Sequence, residues 1–434
     1  MGKKLVYIGL TADTIHHGHI NLIEKGRDYG EIIVGLLTDK AVSDYKRIPL
    51  LNFEQRKKIL INIKGVNKVV PQDNWDYSIN IKKYKPNYML HGTDWASGPQ
   101  LQLRKNVIRE LKKYGGKLVE IPYTKGVSST ALSMEENKKY TTAEIRLKKL
   151  NRILEAKNFL RIIETHNPIS ALIAENINLN SKNKFKEFDG FWSSSLTDST
   201  SMGKPDIEAL DISERLSNIN KIFDVTSKPL IMDIDTGGKI EHLKLNIRSM
   251  ERLGISAVIM EDKTGLKKNS LNEKTSNQQQ DTIKNFSEKI NEISNTKLNN
   301  EFMVIARIES FILGKGIDDA ISRANAYVDA GANGIMIHSK EKTPKEIFKF
   351  SDKFRKFYPN IPLVCVPSTY NSVKEQDLIK KKFNIVIYAN HLLRAAYPAM
   401  TNTAISILKN GRSKECDKKM ISIKEILKLI PGTS

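Results

Sequence analysis

The chain has 434 residues, 40% of them hydrophobic, which is enough for two or three domains with real cores. Its two cysteines, Cys365 and Cys416, lack metal-type spacing and exclude a disulfide framework or a zinc site. The formal charge of +21 is spread along nearly the whole chain as lysine, with short clusters such as Lys148-Lys149 and no interleaved aromatics; this fits anionic small substrates and argues against a nucleic-acid partner.

Met1-Gly2-Lys3-Lys4 has neither the apolar core of a signal peptide nor a myristoylation pattern, and no apolar run approaches membrane-spanning length. A cytoplasmic protein with no membrane partner is expected. Strand-like runs at 5–10, 32–37, 68–70, 88–90 and 117–121 alternate with helix-like segments around 18–29, 53–63, 77–84 and 99–114. This predicts an α/β, Rossmann-like, doubly wound parallel sheet with its ligand at the carboxyl ends of the strands. The polar stretch 133–146 marks a boundary, giving a nucleotide-binding domain over 1–135, a linker over 136–150 and a second domain over 151–434.

That second domain holds eight apolar strand candidates, at 159–163, 188–192, 229–233, 257–261, 302–307, 334–338, 362–366 and 384–388. Helix-like stretches such as 239–253, 316–330 and 343–357 follow them, which predicts a (β/α)8 TIM barrel. Asp233 and Asp235 close one strand two residues apart and therefore face one side. Glu261, then Arg307 and Glu309, then His338 end the next three strands. Carboxylates, an arginine and a histidine at the C-terminal barrel face imply a hard divalent cation, Mg2+, with an anionic substrate. The run Glu261-Asp-Lys-Thr-Gly-Leu-Lys-Lys-Asn-Ser-Leu then adds a loop of lysine, amide and hydroxyl suited to phosphoryl oxygens.

Over 145–430 the chain resembles phosphoenolpyruvate mutase of the isocitrate lyase and phosphoenolpyruvate mutase superfamily. The matching stretches include Glu164-Thr-His-Asn-Pro-Ile-Ser-Ala, Gly190-Phe-Trp-Ser-Ser-Ser-Leu, Asp233-Ile-Asp-Thr-Gly, Lys267-Lys-Asn-Ser-Leu and Ala306-Arg-Ile-Glu-Ser. The resemblance implies rearrangement of phosphoenolpyruvate to phosphonopyruvate. It implies Mg2+ on Asp233, with Asp235, Glu261 and Asp206 around its water shell. Trp192, Ser194, Ser195 and Leu196 would line the substrate pocket, Arg307, Asn269 and Ser270 would grip the phosphoryl group, His338 would sit near the bridging oxygen, and Lys267 would travel with a gating loop. Ser195 stands where the family usually has glycine. Residues 262–274 contain no cysteine, which separates the chain from the lyases of the superfamily. Lys267-x-Asn269-Ser270 is the mutase pattern, with phosphonopyruvate hydrolase as the alternative. The resemblance also implies a homo-oligomer that exchanges its last helix, about 391–408.

In the first half, His16-His17-Gly18-His19 follows the first strand and opens the first helix, where backbone N–H groups and the helix dipole favour an anion. Gly18 would admit a triphosphate close to the backbone, and the histidines would stabilise charge during attack on an α-phosphate. Residues 4–132 resemble the cytidylyltransferases of the glycerol-3-phosphate type in His16-His-Gly-His, Phe53-Glu-Gln-Arg56, Asn74-Trp75, His91-Gly-Thr-Asp-Trp95 and Gly126-Val-Ser-Ser-Thr130. This implies CTP as substrate, with Thr11, His16, His19, Lys46, Arg56, Asp94, Ser128, Ser129 and Thr130 in contact. The family's Arg-Thr-Glu-Gly is Tyr123-Thr-Lys-Gly here, so an arginine expected on the acceptor's phosphate is lost. A bifunctional enzyme that also cytidylylates a phosphonate, such as 2-aminoethyl- or 2-hydroxyethylphosphonate, joins the halves. A phosphoalcohol such as phosphocholine or glycerol 3-phosphate is the alternative acceptor, and an RNA-binding module the competing class.

Overall fold

The computed structural model describes residues 4–96, 100–122, 141–181, 184–265, 267–268, 270 and 278–430. The first half is a five-stranded sheet of β1 (Leu5–Leu10), β2 (Glu31–Leu37), β3 (Val66–Gln72), β4 (Tyr88–Gly92) and β5 (Lys117–Ile121), in the order β3-β2-β1-β4-β5. Every pairing is parallel. The central strands read as continuous apolar runs because both faces are covered. One face packs Val6, Ile8 and Val34 against Ile23 and Leu60, and the other packs Tyr7, Ile33 and Met89 against Ile81 and Val107.

The second half closes into a barrel of β6 (Leu160–Glu164), β9 (Gly190–Ser193), β10 (Leu230–Asp233), β11 (Ala257–Glu261), β14 (Met303–Ile308), β15 (Gly334–Ile337), β16 (Leu363–Cys365) and β17 (Ile385–Tyr388). Two hairpins are inserted: β7 (Asn178–Ser181) with β8 (Lys184–Glu187), and β12 (Lys263–Thr264) with β13 (Gln279–Gln280). The barrel interior is apolar, built from Leu160, Ile162, Ile231, Ile259, Ile305 and Ile385 among others.

The helix Ala143–Lys157 begins inside the stretch expected as linker and plugs the N-terminal mouth of the barrel. Its Leu150, Ile153 and Ala156 join the interior cluster, and Ile48 from the first half joins them there. Arg146 donates to Lys228 O at 2.7 Å and Thr226 O at 2.6 Å, and Lys149 to Ser227 O at 2.9 Å, all just before β10. The polar composition of 136–150 concealed this, because Arg146 and Lys149 are buried with their charges spent on backbone carbonyls.

The helix after β17, His391–Asn410, buries none of its residues; Tyr397 is 71% exposed and Leu408 84%. Among the described residues, no helix is long and apolar enough to cross a membrane.

Candidate active sites

Strand parity builds the barrel site. Ile231, Ile259, Ala257, Met303, Ile305 and Met336 point inward, so the residues two further on along each strand point the same way at its C-terminal end. Those residues are Asp233, Glu261, Arg307 and His338, and the β11–β14 register sets Glu261 directly opposite Arg307.

Arg307 is the hub of this face. Its Nε donates to Glu309 Oε1 at 2.5 Å and its Nη2 to Ser270 Oγ at 3.0 Å, and Nη2 lies 3.3 Å from Glu261 Oε2. Burial alone would raise Glu309, but Arg307 and His338 outweigh it and hold the carboxyl well below its ordinary range. Burial pushes His338 down. Its Nδ1 stands 2.9 Å from Glu309 Oε1 and 3.1 Å from Arg307 Nη2; the carboxylate calls for a proton on Nδ1 and the guanidinium for a lone pair there, in which case Nε2–H is a donor.

The loop lysine reaches into the carboxylates. Lys267 Nζ donates to Asp206 Oδ1 at 2.7 Å and also bonds Asp235 Oδ1 and Ser195 Oγ. Burial would lower this ammonium, but Asp235, Asp233 and Asp206 together raise it. Asp235 is pushed up to about 6 by burial and by Asp233, and its φ of 52° is left-handed, an unusual backbone for a residue other than glycine. Gly237 lets the turn close, since a Cβ there would lie 2.5 Å from Met260 Sδ.

The donor set suits Mg2+. Asp206, Asp233, Asp235 and Glu261 are hard oxygen donors, and Glu261 Oε1 is buried without a hydrogen-bond partner, 3.2 Å from Lys263 Nζ but not aligned for a bond. Burial pushes Glu261 up to about 7 against Arg307 and Lys263, so more positive charge fits there. Among the described residues no three such side chains converge for direct ligation. Mg2+ does not need that, because it takes one or two carboxylates and keeps its waters.

Trp192, Ser194, Ser195, Leu196, Asp206 and Ser270 line this pocket, along with Asp233, Glu261, Lys267, Arg307 and His338. The structure thus gathers the barrel residues expected from sequence, with Asp235 bonded behind Lys267. Asn269 lies outside the described residues. Sequence reasoning assigned no role to Lys263, Ser368 or Asn390, which also line the pocket. Lys263 Nζ donates to Ser270 Oγ at 2.9 Å and ties the loop down. Parity with Glu261 was the signal for it, and Asn390 stands in Ala389-Asn-His, a stretch that also matches the family; Ser368 carried none.

The nucleotide-side pocket lies at the carboxyl ends of β1 and β4, lined by Thr11, Asp13, His16, Gly18, His19 and Lys46, with Tyr45, Trp75 and Gln100 as well. Gly9 keeps the strand end open for Tyr77, whose ring a Cβ would meet at 2.3 Å. His16 Nδ1 accepts from Gly18 N at 3.1 Å, and His19 Nδ1 from His16 N at 3.3 Å, a reciprocal cap on the helix His17–Arg27. These two amides are therefore occupied, a correction to the expectation of an amide-lined anion site. Both rings are left with their proton on Nε2 as the donor. Burial pushes His19 down to about 4, helped by His16 and Lys46, so it is a neutral donor. Lys46 is also lowered by burial, against Asp13. Tyr45 bonds Thr11 Oγ1 at 2.7 Å and packs on Trp75 with ring centroids 3.7 Å apart.

Arg56 does not line this pocket. Its side chain is wholly buried, donating to Asp39 Oδ1 at 2.8 Å, to Leu51 O at 3.2 Å and to Thr11 O, so it holds the pocket wall from behind. The Asp94 side chain and Ser128, Ser129 and Thr130 lie outside the described residues.

The fold and the two clusters define a (β/α)8-barrel enzyme with a polar site at its C-terminal face, joined to a doubly wound domain of the nucleotidyltransferase kind. The chain belongs to the phosphoenolpyruvate phosphomutase family, whose model matches residues 150–408, and a cytidylyltransferase-like model matches residues 7–146. Phosphonopyruvate hydrolase of Variovorax sp. (strain Pal2) is 37% identical over 284 residues, 64% of this chain and 93% of that protein. Phosphoenolpyruvate phosphomutase of Tetrahymena pyriformis is 32% identical over 67% of this chain and 93% of its own. Glycerol-3-phosphate cytidylyltransferase of Bacillus spizizenii is 33% identical over 31% of this chain and 96% of its own. A solved phosphonopyruvate hydrolase in complex with oxalate and Mg2+ matches with a TM-score of 0.57 and 35% identity, over 65% of this chain and 94% of that one.

Proposed function

We propose that the chain is a bifunctional enzyme of phosphonate biosynthesis: the barrel rearranges phosphoenolpyruvate to phosphonopyruvate with Mg2+, and the N-terminal half cytidylylates a phosphonate with CTP. The observation that carries the barrel reading is the burial of two residues from the run that follows β11. Lys267 and Ser270 are only 7% and 4% exposed and are bonded into the strand-end cluster.

A phosphoryl group leaving an enolate is loose and metaphosphate-like, so the protein must position it, spread its charge and keep water away. Arg307 and Ser270 grip its oxygens, and the neutral His338 faces the bridging oxygen. Trp192 forms the wall, and the amides of Ser195 and Leu196 hold the remaining oxygens. Lys267 closes the lid over them. Asp233, Asp235, Glu261 and Asp206 are the residues that would hold Mg2+, which when bound neutralises substrate oxygens.

Phosphonopyruvate hydrolase is the second reading, favoured by the 37% identity to such an enzyme. Phosphorus NMR of the protein with Mg2+ and phosphonopyruvate separates the two.

In the N-terminal half, His16 and His19 offer neutral Nε2–H donors to charge developing on the α-phosphate of CTP. The acceptor reading rests on Tyr123, which stands where an arginine would meet a glycerol phosphate. Pyrophosphate release from CTP, assayed with 2-aminoethylphosphonate, 2-hydroxyethylphosphonate, phosphocholine and glycerol 3-phosphate, tests it.

The boundary falls between 122 and 143, and the helix Ala143–Lys157 goes with the barrel it plugs. Phosphonopyruvate must be decarboxylated and then aminated or reduced before it becomes an acceptor such as 2-aminoethyl- or 2-hydroxyethylphosphonate, so the two steps are not consecutive and direct channelling between the two sites is not implied. The exposed apolar helix His391–Asn410 supports a homo-oligomer in which a neighbour covers it.

A further inference from the structure

The segment between β2 and the helix Phe53–Ile61 is strapped to the underside of the barrel along most of its length. Asp44 O accepts from Phe185 N at 3.4 Å. Arg47 donates to Glu175 Oε1 at 2.7 Å, to Glu175 O at 2.8 Å and to Glu187 Oε2 at 3.0 Å. Ile48, 2% exposed, is buried among the residues that close the barrel mouth. Arg152, on the plugging helix, donates to Pro49 O at 2.6 Å, Leu50 O at 2.7 Å and Leu51 O at 3.0 Å.

The same segment forms one wall of the nucleotide-side pocket. Tyr45 and Lys46 line it, and Leu50 N donates to Asp13 Oδ1 at 2.9 Å, fixing a third lining residue. A second chain of bonds runs beneath. Arg152 Nε bonds Asp39 Oδ2 at 2.6 Å, Asp39 Oδ1 accepts from Arg56 at 2.8 Å, and Arg56 holds the carbonyl of Thr11. Within the first half, the segment has one short helix, Asp39–Ser43, whose Val42 O accepts from Tyr45 N at 3.1 Å and Lys46 N at 3.0 Å, and it is irregular over 47–52, where the barrel residues hold it. Such a wall takes its shape from whatever it is fastened to.

We propose that the barrel underside is a structural part of the nucleotide site, with Arg47 and Arg152 as positioning residues that hold Tyr45, Lys46, Asp13 and Thr11 in their binding geometry. Neither arginine touches the nucleotide; each acts through the segment it anchors. The barrel therefore serves the first half as a scaffold at one end while carrying its own chemistry at the other. This inference rests on the CTP reading of the pocket.

The test is calorimetric titration of the full chain with CTP and Mg2+, comparing wild type with Arg47→Ala, Arg152→Ala and Arg152→Lys, at a temperature where circular dichroism shows each fully folded. Displacing a pocket wall by a fraction of an ångström is expected to weaken CTP binding about tenfold to a hundredfold in both alanine variants, with partial recovery in Arg152→Lys, which keeps the charge. Because Arg47→Ala strands two buried glutamates, a triple variant with Glu175→Gln and Glu187→Gln replaces it if it does not fold. A lowered melting temperature with CTP affinity unchanged in these variants would overturn the positioning role alone. Failure of the wild type to bind CTP would remove the nucleotide reading itself, and the proposal with it.

Discussion

The Lys267 ammonium lies 2.7 Å from the Asp206 carboxylate, so a loop residue supplies positive charge inside the strand-end cluster of the barrel. A lid that carries its own countercharge is stable when shut and leaves unpaired carboxylates behind when it opens. Lys267→Ala is expected to lower barrel turnover about a hundredfold or more, the loss typical of one electrostatic donor aimed at a transition state. Some loss of melting temperature should accompany it, because the buried ammonium is the countercharge of Asp206 and Asp235. A large drop in stability with turnover intact would contradict the assignment.

The carboxylates themselves are expected to respond to Mg2+. Asp233, Asp235 and Glu261 are buried together, and a cation that binds the folded state alone stabilises it by about 2.7 kcal/mol at a hundredfold excess over its Kd. Addition of Mg2+ should therefore raise the melting temperature of the wild type. Asp233→Asn should abolish the response, and an equal response in that variant would show that the ion binds elsewhere.

The interface between the halves predicts an acid transition. Burial alone would raise Glu175 and Glu187, but Arg47 and Lys228 outweigh it and hold both at about 2, against an ordinary value of 4.5. Their contribution to stability is whole above about pH 4.5 and falls away as the pH drops toward about 2, because the unfolded chain takes up protons first. Urea midpoints measured from pH 5 downward should fall through this window. Glu187→Gln should flatten the slope.

Arg56 was legible in sequence as a nucleotide contact, and the fold makes it a buried strut. Arg56→Ala removes one partner of a buried ion pair and leaves Asp39 and two carbonyls short of donors. A cost of about 3 kcal/mol is expected, read as a shift in denaturant midpoint. A variant of unchanged stability and weakened CTP binding would restore the direct contact.

Much of the fold could be read because its signals are local and periodic. The parallel sheet and the barrel strands announce themselves as apolar runs, and the polar residues that end those strands fall on the inward parity. The helix Ala143–Lys157 could not be read, since its Arg146 and Lys149 look solvated until the backbone carbonyls that receive them are known. The motif His16-His-Gly-His gave the place of the nucleotide site but not its geometry. There the ring nitrogens consume two of the amides that helix physics offers to an anion. Tyr45 and Trp75 meet only in the fold.

The barrel reading is tested most directly by phosphorus NMR of the full chain incubated with Mg2+ and phosphonopyruvate. The phosphonate resonance is expected to convert into that of phosphoenolpyruvate, and Lys267→Ala to abolish the conversion. Release of inorganic phosphate with pyruvate would instead make the barrel a hydrolase, and an unchanged spectrum would contradict both.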